Sequence, residues 1–225
     1  MTETTYTGHV TPGGPSAVRE LDQLVIRKAS VGDLDNNCYL LTCRTTGAQL
    51  LVDAADDATR LLALVHEGSA DGRLDLVVTT HQHWDHHRAL ADVVAATGAE
   101  TAAGHDDAGE LPVVPNRALS QGDSVQFGDI TLSVIHLRGH TPGSVALVYD
   151  DPAGSPHVFT GDSLFPGGVG NTDKDPVRFA SLIDDVEQRV FGVLPDGAWV
   201  YPGHGDDTTL GVERPHLGEW RERGW

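Results

Sequence analysis

Residues 81–86 read HQHWDH, which puts His81, His83, Asp85 and His86 within a single short stretch. Neutral imidazole and carboxylate are side chains that ligate Zn, and equally Fe or Mn. Their spacing sorts them into two pairs. His81 and His83 are two apart, so in extended chain their rings project to the same side. Asp85 and His86 fall where a helical pattern begins and leave on a different trajectory. Two pairs converging on one cleft is what a two-metal site requires, but four residues do not complete it. Three further candidates share one local context, the end of an apolar run followed by glycine-rich chain. They are His140 in LRGHTPGS, Asp162 in FTGDSLF and His204 in YPGHG. Glycine allows the sharp turns needed beside a crowded centre. Singly, each has an ordinary explanation: His204 as a hydrogen-bonded surface histidine, Asp162 as a turn former, residues 81–87 as a histidine-rich surface tract. Jointly, a dense cluster followed by three ligands at strand ends points to a metal site.

The elements that must position these residues alternate along the chain. LVIRKA (24–29), NCYLLTC (37–43) and AQLLVDA (48–54) read as consecutive strands. DDATRLLALVHEG (56–68) has helical spacing and a glycine stop. LDLVVTT (74–80) is a short apolar run of the kind buried on both faces, so residues 81–84 lie at its carboxyl end. Open α/β sheets place ligand sites there. The helix is expected from near Asp85 through RALADVVAATG (88–98). GDSVQFGDITLSVIHL (122–137) reads as a hairpin turning near Gly128 and Asp129. SVALVYD (144–150) and HVFTGD (157–162) read as strands, and residues 175–195 as the longest helix, with Pro176 in its first turn. GAWVYPG (197–203) is the last strand, and a short tail with Trp220 and Trp225 follows. Residues 1–20 are expected as an N-terminal arm or edge strand, and 21–225 as one domain. No repeat period is present. The fold class expected is α/β, with sheet packed on sheet and helices outside.

Composition narrows the partners. The 225 residues include 33 acidic and 15 basic side chains, for a formal charge of −18. Such a surface repels phosphate backbones, which excludes nucleic acid as the expected partner. No apolar run approaches the ~20 residues of a membrane span. The start, MTETTYTGHV, lacks the basic and apolar regions of a secretory signal. Cys38 and Cys43 are five apart in an expected strand, hence on opposite faces and not bridged to each other. Reduced thiols and a cytoplasmic location are expected. Composition is silent on oligomeric state.

The ordered set NCYLL (37–41), LLVDAA (50–55), THQHWDH (80–86), GHTPGS (139–144), TGDSLF (160–165) and PGHG (202–205) resembles the metallo-β-lactamase superfamily. Within it the chain is most similar to the short bacterial glyoxalase II-like (hydroxyacylglutathione hydrolase-like) branch. The resemblance implies a four-layer αββα sandwich and two divalent metal ions per chain, Zn being the expected ion and Fe or Mn the alternatives. It implies that His81, His83 and His140 hold one ion, that Asp85, His86 and His204 hold the other, and that Asp162 bridges them. A hydroxide bridging the ions would be the nucleophile, with Asp85 as the catalytic residue that orients it. Asp53, from LLVDAA, would fix a ligand histidine. The implied substrate is a small-molecule thioester or related ester.

Departures from relatives within the superfamily separate the possible reactions. Quorum-signal lactonases have a tyrosine where this chain has Phe165. Persulfide dioxygenases, which bind a single iron, carry GCGRTDF where this chain reads GVGNTDK, so Asn171 replaces their arginine. Glyoxalase II itself has GHEYT where this chain reads GHGDD, and only 21 residues (225 − 204) follow His204 here. Glutathione is therefore in question as the thiol carrier, and mycothiol is an alternative. Trp84 either walls the cleft or packs under the helix, and Arg88 would place a positive charge near the cleft mouth. Trp84, Arg88, Phe165 and Asn171 are the candidate substrate contacts. A metal-dependent thioesterase leads. A mononuclear iron persulfide dioxygenase, a lactonase, and a scaffold with a purely structural metal site are the competing readings.

Overall fold

The protein is described by a computed structural model covering residues 6–224. Residues 1–5 of the expected N-terminal arm, and Trp225, lie outside the described residues. Two sheets pack face to face with helices on both outer surfaces, the αββα sandwich.

The first sheet has seven strands in chain order: β1 (Ala17–Glu20), β2 (Leu24–Val31), β3 (Asn36–Cys43), β4 (Gln49–Val52), β5 (Leu76–Thr79), β6 (Glu100–Gly104) and β7 (Arg117–Leu119). Its first four strands run antiparallel, and β4 through β7 run parallel. Helices α1 (Ala58–Gly68) and α2 (Leu90–Thr97) make the crossovers between parallel neighbours. The second sheet is built from β8 (Ser124–Phe127), β9 (Ile130–His136), β10 (Val145–Tyr149), β11 (His157–Gly161), β14 (Trp199–Pro202) and β15 (Thr208–Thr209). A separate small hairpin pairs β12 (Leu164–Phe165) with β13 (Gly168–Val169).

Strand alternation divides the core into layers. Leu41, Leu50 and Val78 face the second sheet, meeting Val134, Leu147, Phe159 and Tyr201. Their neighbours Leu40, Leu51 and Val77 face outward onto Leu61, Leu64 and Val65 of α1 and onto Leu90 and Val93 of α2. With both faces covered, β3 and β5 are buried throughout, which is why they read as continuous apolar runs. Cys38 lies in the outer layer and Cys43 in the inner one, and both are free thiols. On the far side, α3 (Pro176–Asp185) and α5 (Leu217–Arg223) cover the second sheet, and α4 (Leu210–Glu213) joins β15 to them.

Several expectations need correction. The helix expected from Asp85 is two elements: a 3₁₀ turn at Trp84–His86, then α2 from Leu90. The N–H groups of Arg88 and Ala89 donate to the carbonyls of Ala55 and Ala54, so this stretch is bound to the end of β4 and not to its own helix. The long helix at 175–195 is α-helical only to Asp185 and continues as a π-helix over Val186–Phe191. β6 and β7 were not expected, because ETAAG has weak strand propensity and is held by parallel neighbours instead. The short tail expected after His204 folds as α4 and α5, and its Trp220 is 1% exposed and packs against Phe191. At the other end Ala17–Glu20 is an edge strand, and the described chain before it is tied down at Tyr6. The hydroxyl of Tyr6 donates to Asp207 at 2.6 Å.

Candidate metal centre

The loops that carry the seven candidate residues leave one edge of the sandwich. Residues 80–87 follow β5, 137–143 join β9 to β10, 162 follows β11, and 203–207 follow β14. The ligating atoms gather into groups: His81, His83 and His140; Asp85, His86 and His204; and His81, His86 and Asp162.

Distances within the cluster suit ions at its centre. His81 Nε2 faces His83 Nδ1 at 3.1 Å and His140 Nε2 at 3.3 Å. Ligands about 2.0–2.1 Å from a tetrahedral ion are about 3.4 Å from one another. In the other triad, Asp85 Oδ2 is 3.4 Å from His204 Nε2 and 3.7 Å from His86 Nε2. Asp162 lies between the triads, with Oδ1 3.4 Å from His86 Nε2 and Oδ2 3.5 Å from His204 and 3.7 Å from His140.

Tautomers follow from what holds the rings behind. His86 Nδ1 donates to Asp53 Oδ2 at 2.9 Å, His140 Nδ1 to the Asn171 carbonyl at 2.8 Å, and His204 Nδ1 to the Leu34 carbonyl at 2.7 Å. His81 Nδ1 reaches Thr80 Oγ1 at 3.1 Å, and that hydroxyl in turn donates to Asp53 Oδ2 at 2.8 Å. Each Nε2 is thus turned into the cleft, the arrangement that prepares imidazole for a metal. His86 Nε2 is buried there with no hydrogen-bond partner among the described residues. An orphaned ring nitrogen flanked by two carboxylates fits a divalent cation.

Burial pushes His81, His83 and His140 below the ordinary histidine range, leaving them neutral with lone pairs available. His86 departs the other way. Burial opposes its charge, but hydrogen bonds and attraction from Asp162 and Asp53 outweigh it and raise the group to about 10. Burial likewise works against Asp162, yet His86 holds its carboxyl well below the usual range. Asp85 is also lowered, burial being outweighed by the Asn36 amide and by His86.

Glycines beside the ligands are required by close approach. A Cβ on Gly203 would stand 2.2 Å from Asp162 Oδ1. The His204 loop is fixed from the opposite sheet: Asn37 donates to the carbonyls of Pro202 and Gly205, and Tyr39 to that of Pro202. The ammonium of Lys28, fully buried, donates to Gly205 O and Gly8 O at 2.7 Å and to Asp207 at 2.6 Å. A cavity of about 590 Å³ opens beside the second triad, lined by Asp162, Phe165, Pro166, His204, Gly205 and Asp206.

The candidate substrate contacts fare differently. Phe165 lines this cavity. Trp84 does not pack under the helix; it is 53% exposed, its ring covered by Arg88 at 3.6 Å. Arg88 is paired with Asp56 at 2.8 Å, so its charge is balanced locally. The Asn171 side chain accepts from the backbone N–H of Asp173, and it is the Asn171 carbonyl that meets a ligand histidine.

Sequence reasoning missed three groups. Asn36 donates to Asp85 Oδ2 at 3.0 Å, and the NNCYLL run holds it directly before the quoted motif. His9, which stands in no recognisable motif, pairs with Asp206 at 2.6 Å beside the cavity. Asp107 is fully buried between the loops of the first triad, and no local signal marks it.

Comparison with known proteins places this geometry. Residues 31–204 match the metallo-beta-lactamase superfamily. A hydroxyacylglutathione hydrolase of Rhodopseudomonas palustris (strain BisB18) is 34% identical over 172 residues, covering 76% of this chain. The chain spans 62% of that relative's length. Among solved structures, ETHE1 from Myxococcus xanthus superimposes with a TM-score of 0.76 at 28% identity, covering 88% of this chain and 84% of that one. TTHA1623 in a di-iron-bound form gives a TM-score of 0.67 at 34% identity, covering 83% and 96% respectively. A divalent metal cofactor agrees with both the family and the donor set.

Proposed function

The chain belongs to the metallo-beta-lactamase superfamily, and from that premise we propose that it is a metal-dependent hydrolase of small-molecule thioesters or related esters. The observation that carries this reading is the all-histidine triad and the Asp85, His86 and His204 triad, joined by Asp162, with Asp162 and His204 lining the cavity walled by Phe165 and Pro166. The hydroxyacylglutathione hydrolase relatives supply the bond class. In this reading His81, His83 and His140 hold one ion, Asp85, His86 and His204 the second, and Asp162 serves both. Bound divalent ions would polarise the acyl carbonyl and make water nucleophilic near neutral pH.

The chain's own residues do the rest. Asp85 is held ionised, with Oδ2 fixed by Asn36, so its carboxylate can orient water and take its proton. Water adds to the acyl carbon and the C–S bond breaks. The proton on Asp85 is then available to the departing sulfur, giving acid and thiol. Phe165 and Pro166 give the substrate an apolar wall, while Asp206 and His9 set the polar rim. Phe165 carries no hydroxyl, so a lactonase-type donor at that position is lacking.

Zn is the proposed ion, with Fe or Mn as alternatives; the di-iron form of TTHA1623 keeps Fe in view. A cytoplasmic setting is proposed from the two buried free thiols, Cys38 and Cys43. Among the described residues no helix is long and apolar enough to cross a membrane. A second reading is the single-iron persulfide dioxygenase weighed from the GVGNTDK motif, against which the complete second triad weighs.

Elemental analysis of native protein, combined with turnover of acyl-glutathione, acyl-mycothiol and simple ester substrates, tests the proposal. Two ions per chain and thiol release are expected. A two-ion protein that cleaves none of the panel refutes hydrolysis. A single iron with oxygen consumption on a thiol persulfide transfers the assignment to the second reading.

A further inference from the structure

We propose that Asp107 is the positioning residue of the first triad, a carboxylate that sets the distance between its two arms. One arm carries His81 and His83, and the other carries His140. Asp107 lies in the loop after β6 and is 0% exposed. Its Oδ2 accepts from the backbone N–H of Gln82 at 3.0 Å, between the two histidines of the first arm. The same oxygen accepts from Thr141 Oγ1, next to His140, and Oδ1 accepts from the Gly143 N–H at 2.6 Å. One carboxylate therefore binds donors from both arms.

The loop is seated so that the arms cannot drift. Asp107 N donates to Gly104 O at 3.1 Å, and His105 N donates to Leu119 O at 2.9 Å, anchoring the turn to β7. Backbones touch directly here. A Cβ on Gly143 would meet Asp107 N at 2.4 Å, and one on Gly104 would meet Gly143 O at 1.8 Å. His83 depends most on this device. Unlike His81, His86, His140 and His204, its ring makes no hydrogen bond to a residue outside the cluster among the described residues. Its placement rests on the backbone that Asp107 grips at Gln82.

This inference rests on the two-triad assignment proposed above, and the test separates them. Metal-free wild type and Asp107→Asn protein are titrated with Co(II), following uptake and the ligand-field spectrum. A carboxamide of the same size offers one acceptor oxygen, so at least one of the three donors meets an NH₂ group. Wild type is expected to take up two ions. In Asp107→Asn one ion binds as before, and the other binds about 10–100-fold more weakly with an altered spectrum. Combined with His204→Ala, which damages the second triad, Asp107→Asn removes the remaining tight ion. Combined with His83→Ala, it adds little. Should Asp107→Asn fail to fold, Thr141→Val removes a single donor and is expected to shift the same ion more mildly. Val93→Ala, a cavity under α2, lowers stability without changing uptake. Two ions bound at wild-type affinity in both Asp107→Asn and Thr141→Val would overturn the role of Asp107. So would equal weakening of both ions. Wild type that takes up fewer than two ions refutes the two-triad assignment, and this inference with it.

Discussion

Asp53→Asn is expected to weaken both of the proposed ions at once, because the Asp53 carboxylate holds His86 directly and His81 through Thr80. Asp53 is 1% exposed and holds a left-handed backbone (φ 59°), so Asn, which tolerates that conformation, is the substitution to make. Three donors converge on it: Thr80 N at 2.7 Å on Oδ1, and Thr80 Oγ1 at 2.8 Å and His86 Nδ1 at 2.9 Å on Oδ2. The amide of Asp53→Asn must face one of these sides. Facing Thr80 N, it leaves a buried donor unpaired, at about 1–3 kcal/mol. Facing His86, it drives the ring to accept at Nδ1, and the proton moves to Nε2, where the lone pair is needed. His81 is disturbed as well, because its Nδ1 partner, Thr80 Oγ1, is itself bonded to Asp53. Loss of such an outer partner weakens metal binding about 10–100-fold, or about 1.4–2.7 kcal/mol per ion. The assay is competition for Zn against a chromophoric chelator, with urea unfolding of the metal-free chain measured in parallel. Both ions should weaken, and the metal-free chain should lose about 1–3 kcal/mol. Retention of both affinities within about threefold, or weakening of one ion alone, would refute the coupling through Asp53.

Asp85→Ala should lower thioester turnover about 10²–10⁴-fold, while one ion still binds at His81, His83 and His140; steady-state rates with elemental analysis check this. In chelator-treated protein the proton on His86 stabilises the fold fully below the unfolded value of 6.5 and that contribution is lost as pH rises through about 10. Between those values ion uptake should release this proton and affinity should climb with pH, as calorimetry in buffers of different ionisation heat would reveal. Trp220→Ala should cost about 3–5 kcal/mol in urea unfolding, because the ring is buried against Phe191. Trp84→Ala, by contrast, removes a ring exposed to 53% and stacked on Arg88, and should cost under about 1 kcal/mol by the same measurement.

The identities and order of the candidate ligands were legible in the chain because ligand chemistry is carried by residue type. His81-x-His83-x-Asp85-His86, His140, Asp162 and His204 each follow a run that becomes a strand or its end. The layers were legible for a related reason. A strand covered on both faces must be apolar throughout, as β3 and β5 are. Other features depended on partners distant in sequence. Asp107 binds Gln82 and Gly143 at separations of 25 and 36 residues, and Asn36 binds Asp85 at 49. No local pattern encodes such a pair, since a buried aspartate in GHDDAG looks like any turn former until its donors are placed around it. The same holds for Lys28, a charge inside a strand that finds Asp207 at a separation of 179 residues. It also holds for the tail, where one tryptophan has no periodic context yet becomes core once the second sheet is present to receive it. By itself the sequence determined which atoms are available to bind metal and which strands present them. Only the tertiary structure decided how those atoms are aimed, because aim is set by hydrogen bonds from chain brought near by folding.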